Sequence, residues 1–101
     1  MLDRLAASGR IWDRRVAVLA TFALIRAGEL GPTLRLAERL LDDPHHLIHK
    51  AVGWMLREVG KRDADALRGF LDARHKTMPR TMLRYAIERF PPAERRRYMA
   101  R

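Results

Sequence analysis

The chain has 101 residues and no cysteine, which suits one small domain and excludes disulfides, a thiolate nucleophile and a Cys-based zinc site. Hydrophobic residues make up 48% of the sequence, a share that is typical of globular and not of disordered chains. The net charge is +9, and Lys50, Lys61 and Lys76 are the only basic residues among 21 that are not arginine, which favours a phosphate-containing partner or else reflects a codon bias toward arginine.

Turn and capping residues predict the first helix from about Ile11 to Ala27, with Ser8 as its cap and Gly28 as its stop. This helix carries the longest apolar run of the chain, residues 16–25, in which nine of ten side chains are apolar. The run is too short to span a bilayer, and the N-terminal residues lack the apolar segment of a signal peptide. We therefore expect a cytoplasmic protein with no membrane partner.

Proline, aspartate and glycine predict the ends of five further helices. These helices are 32–41 from Pro32, 44–59 between Asp43 and Gly60, 64–74 after the cap Asp63, 79–90 from Pro79 to the pair Pro91-Pro92, and 93–99. The linkers are short, so neighbouring helices are expected to pack antiparallel as hairpins.

Three segments of the chain align without gaps: RVAV at 15–18, KAVG at 50–53 and RYAI at 84–87, at spacings of 35 and 34 residues. Two helices per unit at this period indicate HEAT-like repeats, with units at about 9–43, 44–77 and 78–101 of a single domain. The predicted fold is all-α, a fragment of an α-solenoid of stacked antiparallel hairpins. A three-hairpin bundle without true repeats would show the same helices and is the alternative. Because the first helix is apolar nearly all round, we expect it in the middle of the stack.

A mixed aromatic and basic stripe runs along the predicted helix 44–59. Lys50, Trp54, Arg57 and Lys61 stand at i, i+4, i+7 and i+11 and so share one side of the helix. The cations can neutralise phosphates, and the indole offers apolar contact to a deoxyribose or a base. The alternative interpretation is a half-buried core tryptophan beside solvated charges.

The repeat places further cations on equivalent turns of the neighbouring helices. Stacked about 10 Å apart, such helices can track a phosphate backbone. The predicted DNA-binding residues are Trp12, Arg15, Lys50, Trp54, Arg57, Arg80 and Arg84. In the alternative interpretation these cations pair with carboxylates, of which Asp13 and Glu58 are suitably placed.

Other groups of polar residues give weaker functional signals than the aromatic and basic stripe. His45 and His49 have the spacing of two ligands on one helix face, with His46 between them, but no third ligand is evident and we expect no metal. The C-terminal arginines 95–97 with Arg101 either add DNA affinity or form a solvated helix face. No nucleophile–base pair and no glycine-rich phosphate loop is present, so no catalytic residue is predicted.

Three stretches resemble the bacterial DNA alkylation repair family of AlkD-type alkylpurine DNA glycosylases: IWDRRVA at 11–17, LIHKAVGWMLRE at 47–58 and MPRTMLRYAIE at 78–88. The resemblance implies a curved stack of HEAT-like repeats that cradles duplex DNA. It implies hydrolysis of the N-glycosidic bond of N3- and N7-alkylated purines, without a metal or cofactor. By the same resemblance, Trp54 contacts DNA at the lesion and Arg15 belongs to the DNA-binding face.

The family's catalytic aspartate and its accompanying tryptophan lie on a repeat N-terminal to the helix that matches 11–27. Asp3 and Asp13 do not stand in that context. We therefore expect a C-terminal part of such a glycosylase, not catalytic alone, whose uncapped N-terminal face exposes apolar surface and favours a homodimer. The alternative function is a HEAT-like scaffold for protein interaction, in which Trp54 is packed and DNA affinity is weak.

Overall fold

The computed structural model describes residues 2–100, within which the chain forms seven helices and no strand. The helices are α1 (Leu2–Ala6), α2 (Ile11–Arg26), α3 (Gly31–Arg39), α4 (His46–Arg62), α5 (Ala64–Arg74), α6 (Arg80–Ala86) and α7 (Pro92–Met99). The predicted all-α class is confirmed. Among the described residues, no helix combines the length and the apolar character needed to cross a membrane. Arg101, the last member of the predicted basic cluster, lies outside the described residues.

The end of α2 confirms Gly28 as its stop. Gly28 has a φ of 87°, in the left-handed region that favours glycine. Its N–H donates to the carbonyl of Ile25 at 2.9 Å, and the N–H of Glu29 donates to the carbonyl of Leu24 at 2.8 Å. These two bonds form a Schellman motif, which satisfies carbonyls that the last helical turn leaves free.

Two predicted caps are wrong. Arg10 directly precedes α2, and the Ser8 hydroxyl instead accepts a hydrogen bond from the Arg10 N–H at 3.1 Å. At α4 the cap is His45, whose Nδ1 accepts from the Leu47 N–H at 3.2 Å. Asp43 stands two residues too early, and its carboxylate accepts from the His45 N–H at 2.9 Å. In both places the predicted side chain orders the turn before the helix without capping the helix itself.

Gly60 does not end α4, which continues to Arg62. Leu67 of α5 packs directly against Gly60, since a Cβ at position 60 would stand 2.6 Å from Cδ2 of Leu67. Asp63, the single residue between α4 and α5, caps α5 as predicted and accepts from the Ala66 N–H at 3.1 Å.

Two further differences concern short helices. α6 ends at Ala86, four residues before the predicted end, and Pro92 begins α7 instead of closing the preceding helix. The sequence signals did not predict α1, which packs through Ala6 against Ala17 and Leu36.

The long helix α4 lies in the middle of the molecule and packs against both α2 and α6. Helices α3, α5 and α7 each pack against the helix that precedes them. The core follows the buried face of α4, which includes Ile48, Val52, Met55, Leu56 and Val59. The three helices α2, α4 and α6 are called the α2–α4–α6 row below.

The expectation that α2 lies in the middle of the stack stays a prediction: α2 packs against α1, α3 and α4, yet part of its apolar surface is exposed. The buried side chains of α2 include Ala17 and Val18. In contrast, Trp12, Val16 and Phe22 are 57%, 54% and 37% exposed. A helix that is apolar nearly all round can therefore contact three other helices and still leave one apolar face open to solvent.

Candidate functional site

A hollow of about 200 Å³ opens between the helices of the α2–α4–α6 row. Three of the predicted site residues, Arg15, Lys50 and Trp54, line it. The other lining residues are Leu19, Leu47, Ala51 and Tyr85. One cation of α2 thus lies beside a cation and an indole of α4, and the other residues that line the hollow are mainly apolar.

Arg15 and Lys50 lie close together because they hold equivalent positions on neighbouring helices. Arg15, Lys50 and Arg84 are each the fifth residue of their helix, counted from Ile11, His46 and Arg80. Each cation therefore stands on the same turn of its helix. In α6, however, the exposed Arg84 does not line the hollow, and the next residue along the chain does.

That next residue, Tyr85, reaches the hollow because α4 and α6 approach very closely. A Cβ placed on Gly53 would lie 2.6 Å from the carbonyl oxygen of Met82 and 2.7 Å from Cβ of Tyr85. The first of these is a backbone atom, so it cannot yield to a larger residue by a rotamer change. Glycine at position 53 is what allows α6 to lie against α4 at this point.

The three cations on this shared turn have no carboxylate partner among the described residues. Arg15, Lys50 and Arg84 form no ion pair with any residue in the range 2–100. The guanidinium carbon of Arg15 lies 5.9 Å from the ring centroid of Trp12, within cation–π range. Among the described residues, no carboxylate lines the hollow. An anion that enters it would meet uncompensated positive charge.

Both tryptophans are accessible. Trp54 is 43% exposed and Trp12 is 57% exposed, which is unusual for a residue type that is generally well buried. The interpretation of Trp54 as a half-buried core residue explains less of this arrangement, since its exposed side borders the hollow. Trp12 does not line the hollow and stands one turn earlier on α2, beside Arg15.

Arg57 takes a different position from the rest of its stripe. Its Nη1 donates to Glu88 at 2.6 Å, and its Nε lies 3.8 Å from Glu58. It lines a separate cleft of about 510 Å³, in which Lys61 is also held by Glu58, at 3.1 Å. The predicted stripe is thus divided: Lys50 and Trp54 face the hollow, and the charges beyond them are compensated.

Arg80 joins two helices at the end of the molecule. Its Nη1 donates to the carbonyl oxygen of Met99 at 2.5 Å, so the start of α6 is tied to the end of α7. The arginine is exposed but lies outside the hollow.

The histidines near the start of α4 have local roles. His45 caps the helix, and Nε2 of His49 contacts the carbonyl oxygen of Asp43. Within the part of the chain that the structure describes, no three potential ligands converge as a metal site.

Tyr85 is the aromatic member of the hollow that the sequence patterns do not predict. The only signal was its position beside Arg84, one residue out of the repeat register, and that signal has a meaning only once the contact at Gly53 is known.

No curated protein and no solved structure matches the chain. The sequence model of the family described as DNA alkylation repair enzyme matches residues 1–90. The matched range contains helices α1 to α6 and every residue that lines the hollow. This chain therefore belongs to the family of DNA alkylation repair enzymes.

Proposed function

We propose that this chain is the DNA-binding part of an AlkD-type alkylpurine DNA glycosylase, and that the hollow of the α2–α4–α6 row lies against the backbone of duplex DNA. One observation carries the proposal: the exposed indole of Trp54 shares a hollow with Arg15 and Lys50, which have no carboxylate partner among the described residues. Cations without partners attract phosphates and release their counterions, and an indole packs well against deoxyribose.

The arrangement of helices supports a HEAT-like repeat for this surface. The pairs α2/α3, α4/α5 and α6/α7 fall within the units 9–43, 44–77 and 78–101, and the first helix of each pair belongs to the row. In such a stack, equivalent positions of successive units line one surface. Arg15, Lys50 and Arg84 stand at equivalent positions of the three units, although Arg84 lies outside the hollow.

We assign the binding step, and not the catalytic step, to these residues. Hydrolysis of an alkylpurine nucleotide needs a carboxylate that stabilises the developing oxocarbenium ion and positions water. The hollow has no such group. In the glycosylases that the chain resembles, the carboxylate comes from a repeat N-terminal to the helix that matches α2, and not from the residues that match the hollow. The 101-residue chain should then bind methylated duplex DNA without releasing 7-methylguanine; measurable release would contradict this assignment.

The binding proposal is tested by fluorescence anisotropy with a labelled duplex, with and without an abasic-site analogue, across a series of salt concentrations. We expect tight binding at low salt that weakens steeply as salt rises, with some preference for the damaged duplex. Arg15→Ala and Lys50→Ala should each make the salt dependence shallower by about 0.9 in the logarithmic slope, the value for one lost phosphate contact. Trp54→Ala should weaken binding and leave the slope unchanged, because the indole is neutral.

Matched controls are available on other elements. Arg39 of α3 and Lys76 of the 75–79 turn are exposed and form no ion pair with a described residue. Arg39→Ala and Lys76→Ala remove the same charge away from the hollow. If they weaken binding as much as Arg15→Ala and Lys50→Ala do, binding follows net charge alone and the hollow has no special role.

A second candidate function is association with protein through the open face of α2, in the first instance with a second copy of the chain. The exposure of Val16 and Phe22 favours it, although α1 covers the neighbouring side of α2 at Ala17. Sedimentation analysis at several concentrations tests this candidate. A dimer that Val16→Lys dissociates supports it, and a monomer throughout contradicts it.

A further inference from the structure

We propose that Tyr85 is a further DNA-contacting residue, whose hydroxyl donates a hydrogen bond to the phosphate that Arg15 and Lys50 neutralise. The inference rests on the proposed function and extends it to a residue outside the predicted set. Three observations support it: the place of Tyr85 in the hollow, its free hydroxyl, and the fixed position of its helix.

The first observation is shared lining. Tyr85 lines the hollow together with Arg15, Lys50 and Trp54, and it is the single residue that α6 contributes. The phenol is half-buried, so its ring packs against the protein while part of the side chain stays accessible. A tyrosine in this state commonly has an apolar body in contact with protein and a polar end in contact with solvent or ligand.

The second observation is a hydroxyl without a protein partner. The Tyr85 hydroxyl makes no hydrogen bond with any residue between 2 and 100. The hollow offers it no carboxylate, and its polar neighbours there are cations, which are donors and not acceptors. No described residue therefore supplies the acceptor, which leaves solvent or a bound ligand to provide it. Beside two cations, an anionic oxygen such as that of a phosphodiester is the acceptor that the site would select.

The third observation is that the base of the Tyr85 side chain is held in place before any ligand binds. The close approach at Gly53 sets Cβ of Tyr85 against the backbone of α4. The helix that carries Tyr85 therefore needs no movement toward α4 before the hydroxyl can meet a phosphate at the hollow.

Tyr98 provides an internal contrast. It is 1% exposed, and its hydroxyl donates to Oδ1 of Asp72 at 2.7 Å, so its hydrogen-bonding capacity is used within the fold. Removal of one oxygen from either tyrosine is the same chemical change. The two substitutions separate a ligand contact from a structural bond.

The experiment compares Tyr85→Phe with Tyr98→Phe and the unaltered chain, by duplex-DNA anisotropy across a salt series and by thermal unfolding. For Tyr85→Phe we expect affinity about tenfold lower at every salt concentration, an unchanged salt slope and an unchanged Tm, since a neutral donor to a charged acceptor is lost. For Tyr98→Phe we expect a lower Tm and unchanged affinity for the folded protein.

The outcomes are distinguishable from those of the proposed function. If the unaltered chain binds DNA with steep salt dependence and Tyr85→Phe binds equally well, the inference about Tyr85 is overturned and the proposed function stands. A fall in Tm together with affinity for Tyr85→Phe would make the residue structural, which also overturns it. If the unaltered chain does not bind DNA, both proposals fail.

Discussion

Arg57 and Lys50 lie on the same helix, but only Lys50 has a charge that no carboxylate offsets. The Nη1 of Arg57 is bound by Glu88 at 2.6 Å. Glu88→Gln should therefore remove the shorter of the two ion pairs of Arg57, which keeps its 3.8 Å contact with Glu58, and remove one negative charge beside the row. We expect DNA affinity to rise a few-fold, with a salt slope steeper by up to about one phosphate contact, measured by anisotropy at two salt concentrations.

Glu29 is a suitable control for this substitution, because it is exposed and forms no ion pair with a described residue. Glu29→Gln makes the same change in charge without removing an ion pair of an arginine. Equal gains for the two variants would show that only net charge matters, and would contradict a specific role for the Arg57–Glu88 pair.

At the residue scale, the sequence predicts those members of the site that depend on one helix. The spacing of Lys50 and Trp54 places them on one side of α4, and the repeat register adds Arg15. Compensation of Arg57 depends on Glu88, which is far along the chain, and no local pattern reveals it. Tyr85 was missed for the same reason, since its place depends on how closely two helices approach.

At the scale of the helices, the contact between α4 and α6 depends on Gly53. Gly53→Ala should lower the stability by about 1–3 kcal/mol, because the new methyl meets backbone atoms of α6 and the helices must separate. Thermal unfolding followed by circular dichroism measures the change. Gly69→Ala is the matched control, because a Cβ added to this glycine of α5 would meet no non-local atom of the described residues within 4 Å. Alanine there should stabilise the chain by about 0.5–1 kcal/mol through helix propensity. Equal stability of Gly53→Ala and the unaltered chain would contradict the close approach.

The contact between α5 and α7 has two polar ties. Arg68 donates to Glu94 at 2.7 and 3.1 Å and holds the pKa of that carboxyl below its usual value. Burial, and then the hydrogen bond to Asp72, raises the pKa of Tyr98 to about 12. The tie at Tyr98 is the more sensitive to alkaline pH.

A tyrosine whose pKa is higher in the folded chain than in the unfolded chain stabilises the fold only while it is protonated. The contribution of Tyr98 should be complete below pH 10 and lost as the pH rises through about 12. We expect Tm to fall over this range more steeply for the unaltered chain than for Tyr98→Phe, as measured by thermal unfolding at a series of pH values. Parallel curves for the two proteins would rule out the tie.

The helix ends show which elements a sequence can predict. The stop at Gly28 and the cap at Asp63 are local devices, and both are confirmed. Ser8 and Asp43 are good capping residues by type, yet they bond to the turn before the helix. Gly60 has the residue type of a helix stop, yet α4 continues to Arg62, and the space that a Cβ would need at Gly60 is taken by Leu67. Tertiary contact decides these cases over local propensity.

At the scale of the whole molecule, the sequence predicts the all-α class but not the order of burial. The apolar composition of α2 predicts an enclosed helix, and α2 does pack against α1, α3 and α4, yet one of its apolar faces stays exposed. The open face of α2, at one side of the α2–α4–α6 row, carries Trp12, Val16 and Phe22. The net charge of +9 and the exposed aromatic side chains together suit a polyanion with apolar parts, such as DNA.

The central claim is that DNA lies on the α2–α4–α6 row. It is tested most directly by two-dimensional ¹H–¹⁵N NMR of the labelled chain during titration with a short duplex. The chain has two tryptophans, so the indole N–H signals report on the row without ambiguity once Trp12→Phe assigns them. We predict that the indole signal of Trp54 and the amides around Arg15 and Lys50 shift with DNA concentration, while the exposed amides of α3 and α5 do not. Shifts confined to α3, α5 or α7, with an unmoved Trp54 signal, would contradict the account.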